Sequence, residues 1–188
     1  MFPFITLTDG VITLRPHEFG DESNLFNAVR ESLSELNPWM SWANEKYTLD
    51  VALNFIVLTR SYWSNGSMYG FAILDSQTGA ILGGCSLSHI HPIYHFCNLG
   101  YWVRTSRHRE GIAGRAARLA AQFAFERVKL IRAEIVIACG NERSRRVAEK
   151  IGAHYEGMLL NRIVAGTRIY DAWMFSLLPW DFGLVARL

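Results

Sequence analysis

The chain has 188 residues, half of them hydrophobic and 19% charged, and its formal net charge is +2 at pH 7. This length suits one domain with one core, and this composition excludes a largely disordered chain. The small net charge excludes a protein that binds nucleic acid through a strongly basic balance. We therefore expect one folded domain over residues 1–188, without direct binding of nucleic acid.

The cysteines and the opening residues bear on the compartment. Cys85, Cys97 and Cys139 lie in apolar runs and lack CxxC spacing, which is typical of reduced, buried thiols. The first residues have neither a basic region nor a long apolar stretch, and no apolar run approaches 18 residues. We expect a cytoplasmic protein without an export signal or a membrane span.

The first half of the chain predicts a strand, two helices and a hairpin. The alternation in "VITLRP" predicts a strand over 11–16, and a helix is expected from Asp21. A second helix is expected with Asp50 near its start and Asn65-Gly66 past its end. Its apolar residues at helical spacing are Val51, Phe55, Leu58 and Tyr62. Two strands follow, joined by the turn 76–79, and Gly83-Gly84 indicates a bulge or a close backbone approach.

The second half alternates strands with helices. The predicted order is strand, helix, strand, helix, over 97–103, 116–128, 132–139 and 141–151. Asn141 is expected to cap the last helix and Gly152 to end it. A closing hairpin turns at Ala165-Gly166. These elements together predict an α+β domain.

The stretch "RHREGIAGRAAR", residues 107–118, lies between a predicted strand and a predicted helix. Glycine within a helix costs about 1 kcal/mol relative to alanine, so Gly111 and Gly114 need a physical reason. Backbone N–H groups at a helix start bind phosphates, and glycine lets the phosphate come close. The spacing fits neither a Walker A loop nor the dinucleotide pattern GxGxxG. An anion-binding loop is predicted, and a helix start with solvated arginines is the alternative.

Three segments carry a resemblance to a known family. The loop resembles the pyrophosphate loop of the GNAT superfamily of acetyltransferases, Gln/Arg-x-x-Gly-x-Gly/Ala, with His108 in the first position. "NERSRRVAEKIGAHYEG", residues 141–157, resembles a later GNAT segment, with Ala153 replacing the usual aromatic residue. "LNPWMSWA" and "YDAWMFSLL", residues 36–43 and 170–178, resemble the RimJ/RimL branch, the N-terminal acetyltransferases of ribosomal proteins.

The resemblance implies a fold and a co-substrate. The fold would be a mixed, mostly antiparallel central sheet of about seven strands, flanked by about four helices and splayed between its two central strands. The co-substrate would be acetyl-CoA, with no metal. Its pyrophosphate would lie on the backbone of Gly111, Ile112, Ala113 and Gly114. Arg109 and Arg115 would pair with the phosphates, whereas Arg104, Arg107 and Arg118 would form a solvated face.

The resemblance also implies candidates for the chemistry of acetyl transfer. The backbone of Val103 would hold the pantetheine and the thioester oxygen. Glu156 would act as the general base, directly or through water; a surface carboxylate is the alternative. Ser144 would donate a proton to the departing sulfur, or it serves only the helix end. Asn141 would reach the pantetheine region, a role compatible with capping.

The acceptor side is predicted from four residues. Trp39 and Trp42 lie in a proline-containing loop where the family shapes the acceptor pocket, although aromatic residues also serve packing. Tyr170 and Asp171 lie on the last hairpin, where Asp171 would orient the acceptor amine or hold the strand.

Several alternatives remain for the function. The resemblance implies a protein N-terminal amine as acceptor and a homodimer. A small amine, such as a polyamine, an amino acid or an antibiotic, is the alternative acceptor, and a coenzyme A-binding module without catalysis is the alternative class. The histidines in "HIHPIYH", His89, His91 and His95, suggest a metal site, but no cysteine is placed to complete it. A polar loop is expected there.

Overall fold

Eight strands form one open sheet in the computed structural model, which describes residues 5–186. The strands are β1 (Leu7–Thr8), β2 (Ile12–Pro16), β3 (Tyr69–Asp75), β4 (Ile81–Ser88), β5 (Phe96–Val103), β6 (Arg132–Ala138), β7 (His154–Ala165) and β8 (Arg168–Leu177). Their spatial order is β1-β2-β3-β4-β5-β6-β8-β7. Neighbouring strands are antiparallel except β5 and β6. The predicted fold is confirmed, with the short strand β1 in addition.

Five α-helices lie within residues 5–186, where about four were predicted. They are α1 (Glu22–Glu31), α2 (Leu33–Leu36), α3 (Leu49–Asn65), α4 (Ile112–Glu126) and α5 (Glu142–Lys150). The additional helix is the single turn α2. As predicted, Asn141 caps α5, because its side chain accepts the N–H of Ser144. Within this described part of the chain, no helix is long and apolar enough to cross a membrane.

Helices cover both faces of the sheet. α4 lies on one face, where a row of fully buried alanines lets the helix approach the strands closely. α1 and α3 cover the other face. Because side chains alternate along a strand, Phe71 and Ile73 of β3 face α4, whereas Ala72 and Leu74 face α1 and α3. The central strands are therefore buried on both sides.

α3 buries a different face from its predicted apolar stripe. The predicted residues are 37–50% exposed: Val51, Phe55, Leu58 and Tyr62. The buried face consists of Ala52, Ile56, Thr59 and Trp63. Small residues on this face let α3 approach the sheet, and Trp63 fills the space beside α4, where its ring stacks on Phe123 at 5.9 Å. Spacing alone misassigned the face because α3 is apolar on more than one side.

The parallel strands β5 and β6 separate after three residue pairs. Their last pair joins Asn98 to Glu134. Beyond it, residues 99–103 pair with β4 alone, and the rest of β6 pairs with β8. A cleft therefore opens toward the carboxyl ends of β5 and β6, which confirms the predicted splay. α4 and α5 both begin beside this cleft.

Gly83 and Gly84 hold β4 against β5 at the level of the cleft. A Cβ atom on Gly83 would lie 2.1 Å from the carbonyl oxygen of Trp102, and one on Gly84 would lie 2.6 Å from Nε1 of Trp102. The register of β3 against β4 also shifts beside Gly83. The predicted close approach is confirmed. It holds the end of β5 against β4.

Candidate active site

The backbone at the end of β5 points a donor into the cleft. The N–H of Arg104 donates to Leu82 of β4 at 2.8 Å. Because backbone groups alternate sides along a strand, the N–H of Val103 points away from β4 and toward β6. The Val103 carbonyl is held by His108, whose Nε2 lies 2.9 Å from it. Val103 therefore has the backbone direction that an oxyanion donor needs.

The loop before α4 presents backbone N–H groups to the same cleft. Arg109 and Gly111 both have left-handed conformations, with φ of +69° and +77°, and Gly111 is the N-cap. The N–H of Arg115 donates to the Gly111 carbonyl at 3.1 Å. The N–H groups of residues 112–114 lie in the first turn, where a helix leaves its donors without intrahelical acceptors. Donors without acceptors at the positive end of a helix dipole suit a phosphate.

Ser144 and Tyr101 join α5 to β5 across the cleft. The hydroxyl of Ser144 donates to Oη of Tyr101 at 3.3 Å, and Tyr101 donates to the Ser144 carbonyl at 3.2 Å. Burial raises the pKa of Tyr101 to about 12, so this phenol stays protonated at neutral pH. The sequence reasoning missed Tyr101. Its spacing of two residues from Val103 was the available signal, because it places both side chains on one face of the strand.

Three distant segments converge at the mouth of the cleft. The rings of Trp39 and Tyr170 lie 5.8 Å apart, and Tyr170 donates to the Pro38 carbonyl at 3.4 Å. A Cβ on Gly140 would lie 3.5 Å from the Trp39 ring. An ion pair between Glu35 and Arg143 ties α2 to α5. The structure thus brings two of the four predicted acceptor residues together.

Residues 12–154 match the model of the acetyltransferase (GNAT) domain. This chain belongs to the GNAT family. It is an acetyl-CoA-dependent N-acetyltransferase.

Relatives of this GNAT enzyme include proteins named as acetyltransferases of ribosomal proteins. YdaF of Bacillus subtilis, provisionally named a ribosomal N-acetyltransferase, is 28% identical over 173 residues, which are 91% of this chain and 93% of YdaF. A Vibrio cholerae structure, provisionally described as a ribosomal-protein-serine acetyltransferase, is 28% identical with a TM-score of 0.84, over 95% of this chain and 100% of its own. Mycobacterium smegmatis RimJ, solved with a CoA-disulfide, shares the fold at 23% identity and a TM-score of 0.86, covering 97% of this chain and 90% of RimJ.

Glu156 lies away from the open end of the GNAT cleft. Its carboxylate accepts from Arg132 at 2.6 Å and from Ser176 at 2.6 Å. Arg132 begins β6, where β5 and β6 are still paired. The hydrogen bond from Arg132 is the main reason that the pKa of Glu156 falls to about 2. A carboxylate held this way is a weak base with its oxygens occupied, which argues against the predicted role of general base.

Asp171 holds the closing hairpin. Its carboxylate accepts the N–H of Asn161 at 2.8 Å, at the point where β7 bulges between Leu159 and Ile163. Its carbonyl accepts the N–H of Cys139 at 2.8 Å. This placement fits the alternative in which Asp171 supports the strand.

Trp42 lies apart from Trp39. Its ring packs against Trp102 of β5 at 6.0 Å and against Tyr47 at 6.0 Å, and 43% of Trp42 remains exposed. Trp42 therefore has both a packing contact beside the cleft and a surface open to solvent.

The arginines around the loop are engaged rather than merely solvated. Arg104 pairs with Glu31, and Arg107 pairs with Glu110 and Asp75. Arg118 donates to the Ile151 carbonyl and lies 4.7 Å from the centre of the Phe182 ring. Arg118 is exposed, as expected for a solvated face, whereas Arg104 and Arg107 are half-buried and held in ion pairs.

The two remaining arginines differ. Arg115 pairs with Asp9 at 2.7 Å. This ion pair occupies part of the Arg115 guanidinium, which was predicted to bind a phosphate. Arg109 is exposed beside the loop. Gly114 has a packing role, because a Cβ there would lie 3.1 Å from the side chain of Ile151, the residue that follows α5.

The histidine loop is built as a turn. Nδ1 of His91 accepts the N–H groups of Ile93 and Tyr94 at 3.3 and 3.1 Å, and the His91 ring stacks on Phe96. Across residues 5–186 no group of three or more histidine, cysteine or acidic side chains is placed to hold a metal ion.

Proposed function

We propose that this GNAT enzyme acetylates the α-amine of a protein N-terminus, of the ribosomal-protein type. YdaF and the Vibrio cholerae protein each match more than nine tenths of this chain at 28% identity. Both are named as ribosomal acetyltransferases. Their agreement over the whole domain, the acceptor side included, supports a shared class of acceptor.

The state of the carboxylates at the mouth carries the choice between acceptors. Glu35 is paired with Arg143, and Asp171 accepts a backbone N–H. A polyamine brings several positive charges and needs several available carboxylates to bind it. An N-terminal α-amine brings one charge at most and reacts in its neutral form. The engagement of Glu35 and Asp171 within the protein therefore favours the N-terminal amine over a polycation.

The residues beside the cleft fit acetyl-CoA. The first-turn N–H groups of α4 lack intrahelical acceptors, and Gly111 has open space where a side chain would stand. We assign the coenzyme pyrophosphate to these groups, with Arg109 beside them. The N–H of Val103 is proposed to hold the thioester oxygen. Asn141 is proposed to reach the pantetheine in addition to capping α5.

Acetyl-CoA supplies an acetyl thioester, and the protein must move one proton. A bond forms between the amine nitrogen and the carbonyl carbon, the bond from carbon to sulfur breaks, and a proton passes from nitrogen to sulfur. We propose that Ser144 carries this proton. Trp39 and Tyr170 are proposed to line the path of the acceptor chain, with Trp42 at its edge. Glu156 takes no part in this scheme.

Thermal unfolding with acetyl-CoA tests the coenzyme site, with ATP and NAD as phosphate-bearing controls. A ligand at a hundredfold excess over Kd adds about 2.7 kcal/mol of stability, which raises the midpoint by about 5 to 10 °C in a domain of this size. An equal shift with all three ligands would contradict a specific site.

An acceptor screen then tests the reaction. Peptides with ribosomal-protein N-termini are compared with polyamines, amino acids and aminoglycosides at equal concentration. Turnover of peptides alone is expected. Turnover of small amines alone would replace the proposed acceptor, and coenzyme binding without any turnover would indicate a non-catalytic module.

Assembly and location are also proposals. We propose that residues 1–188 act as one GNAT domain in the cytoplasm, which the three free cysteines support. We propose a homodimer, because the edge strand β7 exposes Met158, Leu160 and Val164, and an apolar edge invites pairing. Light scattering should give a dimer for the wild type and a monomer for Leu160→Lys.

A further inference from the structure

The hydroxyl of Ser144 donates to a residue outside its own helix. Later in a helix, hydroxyls commonly donate to the carbonyl four residues earlier, as Ser32, Thr59 and Ser64 do, at 2.8 to 3.0 Å. Ser144 lies in the first turn of α5, where the residue four earlier, Gly140, precedes the N-cap Asn141. Its hydroxyl donates to Tyr101 of β5. Tyr101 thus supplies an acceptor that the helix start does not offer.

The contact is two-sided. Tyr101 gives its own hydrogen to the Ser144 carbonyl at 3.2 Å, so its oxygen is left to accept the Ser144 hydrogen. The amide of Ser144 is held at the same time by Asn141 at 3.2 Å. Ser144 is therefore fixed at its N–H, its carbonyl and its hydroxyl. Tyr101 supplies two of these three contacts.

The position of Tyr101 places this contact beside the reacting groups. Tyr101 and Val103 project from one face of β5, two residues apart, in the stretch that pairs with β4 alone. The N–H of Val103 points into the same opening. The Ser144 hydroxyl is therefore held near the backbone donor proposed for the thioester oxygen.

We propose that Tyr101 is a positioning residue that fixes the Ser144 hydroxyl for proton transfer in the cleft. This inference rests on the proposed function, in which Ser144 carries the proton. The amine nitrogen gives its proton to Oγ of Ser144 while the Ser144 hydrogen passes to the leaving sulfur, so the serine ends unchanged. At rest this Ser144 hydrogen is donated to Tyr101. Because a phenol both donates and accepts, Tyr101 can release that hydrogen to the sulfur and turn its own hydrogen from the Ser144 carbonyl to Oγ during the exchange.

A purely structural role for Tyr101 makes a different prediction. If Tyr101 only fastened α5 to β5, its loss would lower stability and coenzyme affinity without depending on the Ser144 hydroxyl. A double-mutant cycle separates the two roles, because residues that act together give non-additive effects on kcat. Tyr101→Phe keeps the ring and removes only the hydroxyl.

The experiment measures kcat, acceptor KM and acetyl-CoA Kd for four proteins: wild type, Tyr101→Phe, Ser144→Ala and the double variant. We expect Tyr101→Phe to lower kcat about tenfold and Ser144→Ala about a hundredfold, with acetyl-CoA Kd unchanged. The double variant should match Ser144→Ala alone. Tyr69→Phe, at a buried tyrosine in the core beside Trp63, is the matched control and should keep the wild-type kcat.

Other outcomes overturn the inference. An unchanged kcat in Tyr101→Phe, or the same tenfold loss in the Ser144→Ala background, would do so. If Tyr101→Phe does not fold, Ser144→Thr is measured instead. It keeps a hydroxyl for Tyr101 and should retain at least a third of kcat; a loss as large as that of Ser144→Ala overturns the inference.

Turnover of small amines but not peptides would refute the proposed acceptor alone, because the same cycle then runs on the small amine. No turnover of any amine would refute both.

Discussion

The two sides of the cleft are built differently. The proposed coenzyme side uses backbone groups from one continuous stretch, residues 103–115, which runs from the end of a strand to the start of a helix. The acceptor side uses side chains from segments more than 100 residues apart, joined by the ion pair of Glu35 with Arg143 and the contact of Trp39 with Tyr170. Backbone geometry should therefore govern coenzyme binding, whereas side-chain changes should govern the choice of acceptor.

The largest effect on the coenzyme side is expected from a substitution in β4, the strand that packs against the end of β5. In Gly83→Ala the new methyl group would lie 2.1 Å from the Trp102 carbonyl oxygen, so β4 and β5 must move apart. We expect the free energy of unfolding to fall by about 3 kcal/mol, a large effect for overpacking. Denaturant unfolding measures it.

The matched control for this change lies on β5. In Gly100→Ala the new methyl group would lie 3.5 Å from Oγ of Ser86, an ordinary contact, so we expect a loss under about 1 kcal/mol. Equal losses in both variants would show that the approach of Gly83 to Trp102 does not fix the end of β5.

The loop glycine should affect coenzyme affinity. Gly111→Ala strains a left-handed residue, with φ of +77°, at a cost of about 1 kcal/mol. Because the strain shifts the first N–H groups of α4, we expect the acetyl-CoA Kd to rise about tenfold, or about 1.4 kcal/mol. Titration calorimetry gives this value.

Gly79→Ala is the control, because Gly79 has φ of +72° and equally open space in the turn between β3 and β4. It should lose similar stability and keep the wild-type Kd. A raised Kd in both variants would mean that lost stability, rather than loop geometry, weakens binding.

The contrast also explains what the sequence could predict. The loop, Val103 and the Asn141 cap belong to local patterns, since one strand, one turn and one helix start determine them. Trp39 and Tyr170 were recognisable one by one through resemblance, but their contact depends on how α2, β8 and the turn at Gly140 meet. Glu35 and Arg143 gave no local signal, because their contact exists only after the sheet has assembled. Tyr101 had the signal of its spacing from Val103, but its contact with Ser144 likewise depends on the assembled fold.

Glu156 shows the limit of a motif as a guide to chemistry. Its place after α5 matched the family pattern, but its environment is set by Arg132 and Ser176, which the sequence does not place beside it. Similarly, the apolar stripe predicted for α3 had helical spacing, but the helix buries a different face. The spacing of one segment leaves open which face or which partner the assembled fold selects.

Glu156→Gln tests the structural assignment of this carboxylate. We expect kcat to stay within about threefold of the wild type and the free energy of unfolding to fall by about 1 kcal/mol, a value reduced by solvent screening. Because the folded pKa is lowered from 4.5 to about 2, the carboxylate stabilises the fold above pH 4.5 and loses this effect as pH falls through about 2.

The difference in stability between wild type and Glu156→Gln should therefore shrink below pH 4.5, which urea unfolding at several pH values measures. A hundredfold loss of kcat with unchanged stability would restore Glu156 as the general base.

The smallest effect is expected at the ion pair between Glu35 and Arg143. Both side chains are partly exposed to solvent. Exposed ion pairs contribute under about 1 kcal/mol, so Glu35→Gln should raise the acceptor KM about threefold by loosening the segment that carries Trp39. The acetyl-CoA KM should stay unchanged, since the coenzyme side shares none of these contacts.

Glu45→Gln is the matched control, because Glu45 pairs with Arg30 of α1 at 3.3 Å and does not bridge the cleft. It should leave both KM values at the wild-type level. Arg143→Gln should reproduce Glu35→Gln, and the double variant should add nothing further, because both changes remove one contact. A change in the acetyl-CoA KM instead would mean that the two sides of the cleft are coupled through α5, which carries both Arg143 and Ser144.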